Sequence, residues 1–215
     1  HYSISILEFF SIMLPYAIFA LVLLLISILL IKNQPLTIEK KPPLPPLKKK
    51  KVVIIFILFS LCIFTVLNLL DYRLVFIVVL LTEFILDREL ILKIDYHLLL
   101  TFVFFFIFIG NMKQLPFVSS TLSHFVQGNE LMISIFSSQF ISNVPAAILL
   151  SQFTKNYSDI LIGCNLGGLG TLIASMASLI SYKFYTFTTR PNSGKYLTIF
   201  TIFNIIYLIL LLGFY

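Results

Sequence analysis

The sequence predicts an all-α polytopic membrane protein whose distinguishing elements are a re-entrant helical hairpin and a discontinuous transmembrane helix. Three observations carry that expectation. Of 215 residues, 59% are hydrophobic and 11% charged, and apolar runs of roughly 20 residues, each long enough to cross a bilayer core, recur from end to end. The basic residues behind the net charge of +6 gather in the connections between those runs, which fits membrane topology better than nucleic-acid binding. Finally, SSQFISNVPAAILLSQF (137–153) and ILIGCNLGGLGTLIASMAS (160–178) place Asn143, Pro145, Asn165 and four glycines at membrane depth. In lipid an unpaired backbone group costs several kcal/mol, so a broken helix needs protein or a water-filled cavity to satisfy it.

Taken in order, Ser5–Ile31 is a first span, kinked at Pro15. Residues 32–51 hold seven Lys, one Glu and five Pro, a basic linker stiffened toward polyproline II and cytoplasmic by the positive-inside rule. Its PPLPP run also fits an SH3-type ligand, although a connector explains the same residues. A second span covers Val52–Leu70, and Asp71, Tyr72 and Arg73 turn the chain. The return from Leu74 to Leu86 is short and reaches the interface only if the helix continues through Asp87, Arg88, Glu89 and Leu90. Ile94–Gly110 is a fourth span, with Pro116 barring a simple continuation. The last two are Tyr157–Phe184, interrupted at Gly163–Gly170, and Tyr196–Phe214. Seven of ten tyrosines fall near span ends, as an interfacial belt requires, and Cys62 and Cys164 sit in apolar segments as packing residues. The chain opens on His1 with no charged leader before the first apolar run, and is expected to be a piece of a longer protein.

Residues 131–153 fit either one spanning helix or a hairpin at about 129–153 with arms of about 20 Å and 12 Å, neither able to cross a core of about 30 Å. Charge separates the two: a hairpin puts 12 Lys and Arg on the cytoplasmic side against 3 outside, a single span 10 against 5. The hairpin fits better.

Two motifs carry the chemistry. In SNVP, Pro145 opens the backbone near Asn143, and a helix restarting there offers the Ala146 and Ala147 amides and its positive dipole end to an anion, beside Ser142 and Asn143. A proline-kinked helix with Asn143 bonded to a neighbour accounts for the same residues. In GCNLGGLGT, carbonyls freed at Gly163–Gly168 suit a cation such as Na⁺, and a helix restarting near Thr171 again points its N-terminus inward. The alternative is close helix packing through Gly163 and Gly167, with Ala174 and Ser178 as a second small pair. Glu83 is expected in an interfacial salt bridge rather than a proton relay, Asn204 in an interhelical hydrogen bond, Asn68 at a span end and His124 at the interface; lining an external cavity is the less favoured of the readings open to Asn111. No residues have metal-ligand spacing, and Asp71, Asp87, Asp95 and Asp159 sit at span ends, which argues against an intramembrane protease and against an enzyme in general.

SNVPAAILLSQF and NLGGLGTLIASMASLISYKFY, preceded by KIDYHLLLTFVFFFIFIGNM, resemble the C-terminal repeat of the ion transporter superfamily that includes citrate and dicarboxylate carriers, arsenite permeases and sodium/proton antiporters. The resemblance covers about residues 52–215, with 1–31 as the last helix of a preceding repeat. It implies two inverted repeats, each with a hairpin and a discontinuous helix, in an elevator-like, often dimeric carrier of the plasma membrane. It implies a small anionic substrate, coupling to Na⁺ or H⁺ without another cofactor, and an N-terminal repeat as partner. Family members use Ser-Asn-Thr at the hairpin tip; Ser142 and Asn143 match, whereas Val144 replaces the Thr and Pro145 follows. That loss of a hydroxyl weakens the case for a dicarboxylate and leans toward the arsenite and antiporter branches; the alternatives to an anion carrier are a sodium/proton antiporter of the same fold and a non-transporting structural membrane subunit, the latter requiring a continuous helix through Gly163–Gly170. The expected substrate and ion site comprises Ser142, Asn143, Val144, Pro145, Ala146, Gly163, Asn165, Gly167, Gly168, Gly170 and Thr171, with Na⁺ near Ser142, Asn143 and Gly167.

Overall fold

The computed structural model describes residues 4–32, 49–188 and 191–215. Most of the expected linker and Arg190 lie outside the described residues. Among those described the chain is helical throughout, with no strand: α1 (Ile6–Leu30), α2 (Lys49–Val66), α3 (Tyr72–Leu86), α4 (Arg88–Leu92), α5 (Tyr96–Lys113), α6 (Pro116–Val126), α7 (Glu130–Ile141), α8 (Asn143–Leu150), α9 (Tyr157–Gly167), α10 (Met176–Thr186) and α11 (Ser193–Phe214). Polar side chains mark many of the starts. Ser5, Asp71, Asn156, Ser175 and Asn192 each accept a hydrogen bond from a backbone N–H of the turn they open, satisfying donors that have no partner inside the helix. Pro116 opens α6 rather than merely ending α5, because the first helical position needs no N–H.

Among the described residues two helices, α1 with 25 residues and α11 with 22, are long and apolar enough to cross a bilayer. Large apolar side chains stay exposed along nearly every helix, Leu29 at 84% and Phe56 at 69% among them. A water-soluble surface does not carry contiguous apolar area on that scale, so the solvent these helices are built for is lipid.

The chain divides into two compact units, residues 33–99 and residues 1–32 with 100–215. In the first, α2 packs on α3. The expected continuation of α3 through Leu90 does not occur. Asp87 leaves helical geometry at φ −156°, ψ 75° while its carboxylate accepts from Lys51 Nζ at 2.5 Å, and the chain restarts as α4. The Lys51 ammonium holds the Asp87 carboxyl below the usual carboxylate range, and the same bond raises Lys51. At 15 residues, about 22 Å, α3 falls short of a core of about 30 Å. Glu83 makes no salt bridge among the described residues. Asp87 takes the lysine, Arg88 lies over the Phe84 ring at 4.5 Å, and Glu83 Oε2 is buried without a hydrogen-bond partner.

In the second unit α7, α8 and α9 form the tightest packing. Val126, Ala146, Leu150, Phe153, Ile160 and Cys164 make one apolar core, and Ile135, Ile162, Leu166 and Leu211 make another against α1. Asn204 donates to Phe200 O one turn back in its own helix, at 2.8 Å, and among the described residues the expected interhelical bond does not form.

Candidate functional site at the hairpin tip and the helix break

Helices α7 and α8 fold back on each other about a single residue. Ser142 joins them at φ +71°, ψ 153°, a conformation that glycine adopts freely and other residues only under strain. Their far ends meet, since Thr154 Oγ1 donates to the buried Glu130 carboxylate at 2.8 Å. The expected turn over Ser142–Pro145 is therefore narrower, and α8 begins at Asn143. This early start removes one expected donor: the Ala146 N–H bonds Ser142 O at 3.0 Å. Pro145 has no N–H, and Val144 N–H is held by its neighbour's Asn143 Oδ1 at 2.9 Å. Val144 is 48% exposed, whereas Pro145 and Ala146 are buried.

The break in the following helix lies after Gly167, C-terminal to most of the expected Gly163–Gly170 interval. Residues 168–175 are non-helical apart from one 3-10 turn over Leu172–Ala174, and α10 restarts at Met176 rather than near Thr171. Gly163 and Gly167 sit inside α9 and pack on α7. A Cβ at Gly163 would lie 2.6 Å from Leu131 O and 2.7 Å from Ser134 Cβ; one at Gly167 would lie 2.8 Å from Ser138 Cβ. Close packing thus explains these two glycines; Gly168 keeps helical angles at φ −65°, ψ −17° and is explained by the Asn143 amide pressed against it, and unwinding explains Gly170. Gly170 has φ +118°, and a Cβ there would strike Gln139 Oε1.

Hairpin and break meet through side chains of α7 and its turn. Gln139 Nε2 donates to Gly167 O at 2.8 Å and Leu169 O at 3.0 Å, while its Oε1 accepts from Thr171 N at 2.9 Å. Thr171 Oγ1 donates to Gln139 O at 2.9 Å. The Asn143 amide nitrogen lies against Gly168, 3.1 Å from where a Cβ would stand, and the Ser142 hydroxyl donates weakly to Ala174 O at 3.4 Å. Ser142, Asn143, Gly167, Gly168, Gly170 and Thr171 are therefore one neighbourhood. Asn165 is not in it. Two residues from each packed glycine, it turns to the opposite face of α9, donates to Leu161 O at 2.7 Å and lines an apolar cavity of about 380 Å³ against Phe9, Met13 and Tyr16 of α1. Gln139, absent from the expected site, is its most connected side chain. The available signal was a carboxamide in an apolar arm three residues before the turn.

An uncharacterized transporter of Methanocaldococcus jannaschii is 34% identical to this chain over 217 residues, covering 99% of the chain and 57% of that protein. Inner membrane protein YbiR of Escherichia coli is 35% identical over 97 residues, covering 44% of the chain and 26% of that protein. The chain thus spans little more than half the length of the first relative and about a quarter of the second. No family model matches the chain, and no solved structure matches it.

Proposed function

We propose that this chain is the C-terminal part of a secondary active membrane carrier, not an enzyme, that moves a small anion such as a carboxylate or arsenite, driven by a Na⁺ or H⁺ gradient. In this reading α7 and α8 are a re-entrant hairpin, and α9 and α10 are the halves of one broken span. The observation that carries it is the closure of the hairpin tip on the break, where Gln139, Asn143 and Ser142 meet Gly167 to Ala174. Arms of 12 and 8 residues are about 18 Å and 12 Å long, too short to cross, and their joined ends at Glu130 and Thr154 share one membrane level. Carriers build midplane sites from such interrupted helices because the freed backbone binds ligands while neighbouring protein satisfies the rest. The relative named as a transporter, aligned along 99% of this chain, points the same way. Ser142, Asn143 and the exposed Val144 would face the anion, with Gly168 and Thr171 opposite. A sodium/proton antiporter of the same fold is the second reading, favoured by the buried, unpartnered Glu83 carboxylate oxygen.

The test is uptake by the full-length protein in liposomes under an imposed Na⁺ or H⁺ gradient, with labelled citrate, succinate and arsenite as probes. At least one probe should accumulate, and Asn143→Ala should abolish accumulation while leaving expression intact. Unchanged uptake in that variant would sink the site assignment. Proton efflux exchanged for Na⁺ with no uptake of any probe would favour the antiporter.

A further inference from the structure

Carbonyls converge beside the helix break, where sequence alone points to a cation. We propose that the Gln139 carboxamide stands in the place of that cation, so that the break at Gly167–Thr171 takes no Na⁺ and the hairpin stays joined to the broken helix whatever the ionic medium. Nε2 lies 2.8 Å from Gly167 O and 3.0 Å from Leu169 O, two acceptors at the break that match its two N–H groups and would otherwise call for a metal ion or another donor; Ile135 O, 3.1 Å away, belongs to the hydrogen-bond ladder of α7 itself. The orientation of the amide is set by its other end. Thr171 N–H is a donor under any assignment and bonds Oε1 at 2.9 Å; the flipped amide would set a donor against it and an oxygen against the carbonyls. Gly170 makes room for this approach, since any Cβ there would strike Oε1. Charge balance agrees with the geometry: residues 131–153 and 160–182 hold no Asp or Glu, so a cation in this cage would be uncompensated at membrane depth, whereas a neutral amide satisfies the same carbonyls without a net charge. The residues present therefore do not fit Na⁺ at this cage. The inference concerns the cage alone; its consequence, that a coupling ion other than Na⁺ or a cation site elsewhere drives transport, rests on the carrier reading.

Thermal unfolding of the purified full-length protein, in NaCl against choline chloride at equal ionic strength, tests it with wild type, Gln139→Glu and Gln139→Ala. In Q139E one carboxylate oxygen keeps the Thr171 bond while the other faces the carbonyls and leaves a cation-shaped gap. Its melting temperature should rise with Na⁺ by at least about 5 °C more than wild type's at concentrations well above the dissociation constant. Q139A, which opens the cage without adding charge, should gain a smaller Na⁺ response and reads the proposal if Q139E does not fold. Equal Na⁺ responses in wild type and the variants would overturn it. So would a wild-type response that the substitutions remove, since the native cage would then bind Na⁺. Failure of all uptake would count against the carrier reading and leave this comparison standing.

Discussion

Ser142 holds φ +71° and ψ 153°, a region costing a non-glycine residue about 1–3 kcal/mol, and its hydroxyl recovers little through a 3.4 Å contact with Ala174 O. Glycine is the residue that stability alone would select here. Ser142→Gly should therefore raise the melting temperature, by about 2–4 °C if about 1 kcal/mol is recovered, while lowering uptake if the hydroxyl meets the substrate. Gain in both, measured on one preparation, would remove Ser142 from the site. Gly170 is the reverse case. Its φ of +118° and its contact with Gln139 Oε1 make Gly170→Ala costly twice, by about 2–4 kcal/mol from strain and the displaced amide bonds. Gly110→Ala, where a Cβ meets nothing within 4 Å, should be neutral or stabilise slightly.

Among elements, α9 on α7 is the contact on which the site depends, and it explains what the sequence showed and hid. The existence of a glycine-rich break was legible, because four glycines in eight positions of an apolar segment have few uses. Which glycines pack and which unwind was not legible. Spacing puts 163 and 167 on one face, but only the position of Leu131, Ser134 and Ser138 on α7 decides that those two are pressed into contact. Gln139 was missed for the same reason, as its partners lie 28 to 32 residues away. The contact predicts coupling: Gly167→Ala should destabilise, and Ser138→Gly should recover part of the loss by removing the Cβ at 2.8 Å, a positive interaction in a double-mutant cycle of stability. In the other unit the α3–α4 break predicts a pH response. Because Lys51 depresses the Asp87 carboxyl in the folded state, the pair's contribution is present above the ordinary value of 3.8 and is lost as pH falls through the lower folded value. Acidification should thus cost wild type stability that Asp87→Asn, already lacking the pair, no longer has to lose.

At the scale of the whole molecule, the disposition of 130–153 in the membrane sets the topology of everything after it. The two ends of this stretch are neighbours: Thr154 bonds Glu130, and Gln127 and Lys155 line one surface cavity of about 600 Å³. Charge counting along the chain favoured the hairpin by a margin of two basic residues, a weak signal because late loops contribute little to orientation. The contact between the ends is a stronger argument, since a single spanning helix of 23 residues would hold its ends about 35 Å apart. In a background without Cys62 and Cys164, Gln127→Cys and Lys155→Cys in the full-length protein should react with a membrane-impermeant maleimide from the same face. A short bifunctional maleimide should bridge the pair. Lys195→Cys, beyond the broken span, should react only from the opposite face. Labelling of positions 127 and 155 from opposite faces would establish one crossing helix, and the tip at Ser142 would then have no midplane site to form.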